Sequence, residues 1–295
     1  MKIRIKKSTV VRAIPLLTVT LLILALIISA MIYLFNKKSK YDDRISIDIP
    51  ILMYHSLTTN VNEVTEYQIL ADTFESHIKA LSENGYEAVL YRDIVTYVEK
   101  GTKLPEKPII ITFDDGYRNN LTLGAPILER YGFCAEISVI GSLVGMISSE
   151  NIDIIPRFSI DEAKPYIDRG IISIASHSFD LHQEIALDGE VCRLGVLPLD
   201  AESYSEYEAI IKADNESFKE SISPYTTNVF VYPYGKYNEV TEHIISSCGF
   251  DVTVTSDSGI AKIIKGDKTS ARTMPRLFIT EISSSELIEL IEMMK

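Results

Sequence analysis

The run Pro108-Ile109-Ile110-Ile111-Thr112-Phe113, stopped at once by Asp114-Asp115-Gly116, constrains this chain more than any other stretch. A short continuous apolar run ended by a glycine turn predicts a strand buried on both faces, as in parallel sheets covered by helices. Strand-like runs recur over 49–54, 87–90, 134–140, 171–175, 229–232, 251–255 and 276–279. Between them, helical spacing predicts helices over 74–84, 91–98, 121–131, 159–169, 204–221, 239–248 and 285–294. Alternation at this short spacing predicts a parallel α/β architecture. Periodicity alone does not separate an open sheet from a barrel.

In such folds the chemistry sits where the strands end. Neighbours on an extended strand point to opposite sides, but the turn that Gly116 permits can bring both carboxylates to one mouth. Two adjacent acids need something to separate their roles. A cation does so, if one Asp binds it while the other stays free as a base. An ordinary Asp-Asp-Gly turn is the alternative. A second run, Ile171 to Ser176, leads into His177-Ser178-Phe179-Asp180-Leu181-His182. Neutral imidazoles suit zinc-like metals, and a carboxylate completes a set with open positions. Five residues on a regular helix would splay the two rings, so they converge only from a loop or distorted turn. Two unrelated surface histidines are the competing reading.

Thr112 to Gly116 together with His177 to His182 resembles the polysaccharide deacetylase family, carbohydrate esterase family 4. The resemblance spans roughly residues 50 to 280. It implies a distorted parallel (β/α) barrel of about seven units, with Asp114 as catalytic base and Asp115, His177 and His182 as ligands of a divalent metal. Zinc is the expected ion, with other transition divalent ions as alternatives. The usual His-Ser/Thr-x-x-His spacing is one residue longer here, which is similar to the branch acting on poly-N-acetylglucosamine. Ile51 to Leu57 and Val231 to Asn238 also match segments typical of that branch. The resemblance further implies that Pro233 and Tyr234 form the turn whose backbone amide faces the oxyanion, a role needing an N–H rather than a particular side chain.

Two departures stand out. The family's Arg two residues before this proline is replaced by Val231, so Arg276 becomes the candidate for orienting the base; a surface arginine at a strand start is the alternative. No late Leu-x-x-His supplies a general acid, since no histidine follows His243, and His55 is the remaining proton donor. Asp180 is a candidate for holding one of the metal-binding imidazoles in orientation. His77 and His243 read as surface residues. The implied activity is hydrolysis of N-acetyl groups on an N-acetylglucosamine polymer. Deacetylation of peptidoglycan or another wall glycan, and non-catalytic glycan binding, are the rivals.

Ahead of the catalytic domain (49–295) the composition changes. Ala13 to Phe35 is nearly uninterrupted apolar sequence, long enough to cross a bilayer. Basic residues fill the preceding tail (1–12), which predicts a cytoplasmic N-terminus, a single-pass anchor at the cell membrane, a tether over 36–48 and an extracytoplasmic domain. A signal peptide cleaved near Ala30 is the alternative. Residues 1–44 carry a net charge of +7 and the remainder −19. So acidic a domain repels phosphate backbones and excludes nucleic acid as a partner. Protein partners are not indicated. Cys134, Cys192 and Cys248 are odd in number and widely spaced, against both a disulfide framework and a cysteine metal site, and Cys134 and Cys248 read as small buried hydrophobes.

Overall fold

The computed structural model describes residues 24–29, 31, 46–147, 155–183 and 193–295. The expected membrane span over residues 13–35 therefore lies mostly outside the described residues. Those of it that are described, 24–29 and 31, are helical and exposed. Among the described residues no helix is long and apolar enough to cross a membrane.

Residues 46–295 form one compact unit. Its strands are β1 (Ser46–Ile49), β2 (Ile51–Tyr54), β3 (Ser56–Thr58), β4 (Gln68–Leu70), β5 (Glu87–Ala88), β6 (Pro108–Phe113), β7 (Ala135–Val139), β8 (Ile172–Ser176), β9 (Val229–Val231), β10 (Val252–Ser258), β11 (Ala261–Ile264) and β12 (Met274–Phe278). Its α-helices are α1 (Ala71–Glu83), α2 (Tyr91–Lys100), α3 (Ala125–Tyr131), α4 (Ile160–Asp168), α5 (Tyr204–Ser221), α6 (Glu239–Ser247) and α7 (Ser284–Met294). Seven strands close on themselves in the order β2-β6-β7-β8-β9-β10-β12 and back to β2, every pair parallel. The expected seven-stranded barrel is therefore observed. The two-residue strand β5 is not a member of this ring; it pairs in parallel with the first residues of β6.

Side-chain alternation divides the core. On β6, Ile109, Ile111 and Phe113 pack with Leu52, Tyr54, Phe74, Ile78, Leu128, Leu287 and Ile291, between the barrel wall and helices α1, α3 and α7. Ile110 packs instead with Ile51, Ala175, Val229, Val231, Val252, Val254 and Met274, one alternating set from the other strands. That set is the barrel interior. Tyr91, Ile94 and Val98 of α2 join it, as do Ile49 of β1 and Ile263 of β11, next to where β2 begins. Fully burying one such aliphatic side chain stabilises the fold by about 1.5–3 kcal/mol, so the closed barrel gives the site a rigid mouth.

Helix starts follow local chemistry. Ser159, Ser203 and Ser283 each accept a backbone N–H three residues on, while Glu162, Glu206 and Glu286 reach back to the serine N–H. These reciprocal caps satisfy donors that the first turn leaves open.

Three expectations need correction. The single strand over 49–54 is two, because Pro50 has no N–H for a ladder; β1 turns away to pair antiparallel with β11, a strand the sequence reading missed. His77 is not a surface residue. It is fully buried, its Nε2–H donating to the Ile282 carbonyl at 2.8 Å, which leaves Nδ1 to accept from the Tyr54 hydroxyl at 3.2 Å. The ring fills the joint between α1 and the segment leading to α7, and burial lowers its pKa, so it stays neutral. Cys134 and Cys248, which read as buried, are half-buried thiols.

Candidate active site

Both aspartates enter one cleft because the backbone after β6 turns left-handed. The Asp114 N–H still pairs with the Tyr54 carbonyl at 2.9 Å, as the last rung of the β2 ladder. Asp115 then has φ 71° and Gly116 φ 71°. A left-handed non-glycine residue costs roughly 1–2 kcal/mol, and here it redirects a carboxylate that an extended strand would have pointed elsewhere. Gly116 is required twice over, since a Cβ would also lie 2.9 Å from Cγ1 of Val139.

The two histidines converge by a similar device. His177 keeps the barrel ladder, its N–H bonded to the Val139 carbonyl at 3.0 Å, and Ser178 then adopts φ 66°. Buried Asp214 of α5 accepts the N–H groups of Phe179 and Asp180 at 2.8 and 2.9 Å, and Ser178 Oγ accepts that of Leu181 at 3.2 Å. These bonds hold the one-residue-longer loop in the shape that returns His182 to the cleft. Burial raises the Asp214 pKa, and the two backbone N–H bonds oppose that rise.

Asp115 Oδ1 lies 3.7 Å from His177 Nε2 and 3.6 Å from His182 Nε2, and the three ligand atoms lie within 4.8 Å of one another. Ligands at about 2.1 Å from a tetrahedral cation are about 3.4 Å apart, so this set fits a divalent ion. The chemistry of the donors agrees. His177 Nδ1–H donates to the Val231 carbonyl at 2.8 Å, which leaves Nε2 as a lone-pair donor. His182 Nδ1 lies 3.0 Å from the Tyr234 hydroxyl, again leaving Nε2 for the cleft. Burial, and then His177, lower the His182 pKa, which favours the neutral ligand form. Asp115 Oδ1 is buried and has no hydrogen-bond partner.

Asp114 is held quite differently. Arg276 lies in the barrel interior, 1% exposed, with Nη1 and Nη2 each 2.8 Å from an Asp114 oxygen. The same guanidinium donates to the Thr255 carbonyl at 2.8 Å and to Thr112 Oγ1 at 3.2 Å, and Ser138 Oγ donates to Asp114 at 2.6 Å. Burial works against ionising Asp114, but the charge and hydrogen bonds of Arg276 outweigh it and hold the carboxyl well below its ordinary range. Arg276 thus makes the contact with Asp114 for which it is the sequence candidate in place of an arginine at Val231. Val231 itself serves through its backbone carbonyl.

A cleft of about 580 Å³ joins these groups and is also lined by His55, Tyr67, Tyr117, Tyr234 and Phe278. His55 packs edge-on against Tyr67 and Phe278, with ring centroids 5.0 and 5.7 Å away. Its Nδ1 is buried without a partner; burial lowers its pKa, while Asp114 and Asp115 pull the other way. Pro233 opens a 3-10 turn over Pro233–Gly235, in which Tyr234 is left-handed at φ 57°. Gly235 lets that turn lie against β10, where a Cβ would come 2.7 Å from the Ser256 nitrogen.

One expected site residue is misplaced. Asp180 holds neither imidazole: it is exposed, its carboxylate accepts from Ser142 Oγ at 3.1 Å, and the histidine Nδ1 atoms are engaged by Val231 and Tyr234. The left-handed Ser178 turns the loop so that Asp180 faces outward. Asp214 went unnoticed because it lies mid-helix 35 residues away and reads as a polar helix face. Tyr117, which donates to Asp115 Oδ2 at 3.0 Å, stood next to the acid pair in plain view but carried no known chemistry.

A family model described as polysaccharide deacetylase matches residues 101–253, the span carrying both the aspartate pair and the histidine pair. The chain belongs to the polysaccharide deacetylase family. Among relatives, the chain is 29% identical over 218 residues to the Bacillus subtilis (strain 168) protein YxkH, a polysaccharide deacetylase by name, covering 74% of this chain and 68% of that one. It is 25% identical over 246 residues to the poly-beta-1,6-N-acetyl-D-glucosamine N-deacetylase of Escherichia coli (strain K12), covering 77% of this chain but only 36% of that protein. Against the protein of the same name from Staphylococcus epidermidis, identity is 23% over 263 residues, 86% of each chain. Among solved structures, the de-N-acetylase from Aggregatibacter actinomycetemcomitans superposes with a TM-score of 0.69 at 25% identity, covering 83% of this chain and all of that one.

Proposed function

We propose that this polysaccharide deacetylase is a metal-dependent N-deacetylase of an extracellular N-acetylglucosamine polymer of the poly-beta-1,6 type. The observation that carries the reading is the convergence of Asp115 Oδ1 with His177 and His182 Nε2, beside a separately held Asp114, in one cleft. The choice of polymer is supported by the relatives bearing that name and by the lengthened histidine spacing.

Asp115, His177 and His182 are the residues to hold a divalent cation, zinc or another transition ion. When bound, such an ion supplies charge that polarises an acetyl carbonyl and acidifies water. Asp114, kept ionised by Arg276, takes the proton of the attacking water. His55, across the cleft, delivers a proton to the departing amine nitrogen. The backbone N–H of Tyr234 is assigned to the developing oxyanion. Tyr67 and Phe278 give the cleft apolar walls for a sugar ring.

The apolar stretch over residues 13–35 supports an uncleaved single-pass anchor with the catalytic domain outside the cytoplasm. Protease added to intact cells should then remove the domain and spare the N-terminal tail; a soluble form beginning after Ala30 would contradict this. For the activity, the test is acetate release from poly-N-acetylglucosamine and peptidoglycan, before and after chelation. Release from the first polymer, abolished by chelator and restored by zinc, is expected. Release only from peptidoglycan would reassign the substrate. Undiminished release from the metal-free protein would reject the metal-dependent chemistry.

A further inference from the structure

Asp115 is a carboxylate with two different oxygens. Oδ1 faces both histidines and has no hydrogen-bond partner, whereas Oδ2 accepts from the Tyr117 hydroxyl at 3.0 Å. Tyr117 is in turn pinned from behind. Residues 116–118 pair with 156–158, through Arg118 N–H to the Pro156 carbonyl at 2.8 Å and an antiparallel bridge between Tyr117 and Arg157. The Arg157 guanidinium lies 3.7 Å from the Tyr117 ring centroid, and its Nη1 donates to the Ile155 carbonyl at 2.8 Å. A cation over the ring face is attracted by the ring quadrupole and braces the phenol from that side.

We propose that Tyr117, backed by Arg157, is a positioning residue that reserves Asp115 Oδ1 as the single carboxylate oxygen offered to the metal. This rests on the metal-site reading above and deepens it. The phenol fixes the carboxylate plane and ties up Oδ2, so Asp115 would offer a bound cation one oxygen. Without the hydroxyl the carboxylate rotates freely about its last bond, and both oxygens compete for the cation. Partners behind a ligating group typically contribute 10–100-fold to metal affinity. The cation–π stack gives Arg157 a smaller part, since its removal leaves the phenol in place.

The test uses the full-length metal-free protein titrated with zinc against a competing chelator, and cobalt(II) absorption as a report on coordination. Tyr117→Phe should raise the zinc dissociation constant about 10–100-fold and change the cobalt spectrum, while thermal unfolding of the metal-free protein stays near that of the parent. Arg157→Met should raise it by less. Parent-like zinc affinity and cobalt spectrum in Tyr117→Phe would overturn the inference, as would a loss of metal-free stability with unchanged metal binding. Asp115→Ala separates the two levels: if it too binds zinc like the parent, the metal-site reading itself fails.

Discussion

Replacing Arg276 by Met perturbs one side chain and tests how the barrel interior holds Asp114, the carboxylate proposed as the base. Arg276 and Asp114 are 1% and 3% exposed, and the arginine makes two bonds to the carboxylate, one to the Thr255 carbonyl and one to Thr112. Met fills much of the volume but supplies no donor, leaving Asp114 with Ser138 alone. Breaking a buried pair by removing one partner costs about 3–5 kcal/mol. For a unit of this size that lowers Tm by about 6–20 °C. The double variant Asp114→Asn/Arg276→Met carries neither charge and should recover part of the loss. The protonation consequence has a definite sign. With the guanidinium gone, the burial that already opposes ionisation acts nearly alone, so the Asp114 pKa rises. In the parent, the depressed pKa lends stability that is present above the ordinary carboxylate range and lost only as pH falls toward the depressed value. In the variant that stability is missing at neutral pH, and the acidic limb of kcat/KM moves upward. Urea unfolding and a pH–rate profile measure both effects. A variant within about 1 kcal/mol of the parent, with an unmoved acidic limb, would refute the reasoning.

Glu136 on β7 is buried, accepts the Tyr91 N–H at 2.9 Å, and is pushed by burial up to about 7. The folded state therefore binds its proton more tightly than the unfolded chain, and stability falls as pH rises from about 4.5 to about 7. Glu136→Gln should remove that loss, being more stable than the parent at pH 8 by on the order of 3 kcal/mol and nearly equal at pH 5; equal gains at both pH values would contradict the assignment. His55→Gln should retain zinc and lower kcat by about 10²–10⁴, measured as acetate release under saturating metal; undiminished turnover would remove His55 from the reaction. Asp214→Ala strips the acceptor from two loop N–H groups, so zinc should bind about 10-fold more weakly, with hydrogen exchange at Phe179 and Asp180 faster; unchanged exchange would show that the loop holds itself.

Much of this was legible because it is local. The alternation of buried runs and amphipathic helices predicts a parallel α/β chain, and the helix over 204–221 falls where α5 does. Carboxylates and imidazoles after strands mark the mouth, since strand ends are where side chains leave the core. What the sequence hides depends on long-range approach. Asp214 and Arg276 act on residues 34 to 162 positions away, and only barrel closure brings them there. Arg276 was inferred from a gap at Val231, whereas nothing local distinguishes Asp214 from a solvated helix face. Asp180 failed for a conformational reason: proximity in sequence to two histidines predicts contact only if the loop is regular, and left-handed Ser178 makes it irregular. His77 failed because a helix stripe can be widened by a partner arriving 205 residues later, here the Ile282 carbonyl.

The central claim is that two adjacent, chemically identical carboxylates are divided into one ligand and one base by what each touches. Zinc content and acetate release, measured together on Asp114→Asn and Asp115→Asn under saturating zinc, test it most directly. Asp115→Asn should lose metal, because a neutral amide forfeits the charge attraction to a divalent ion. Asp114→Asn should keep full zinc occupancy and lose activity by about 10²–10⁴. Equal zinc loss in both variants, or retained activity in Asp114→Asn, would contradict the division.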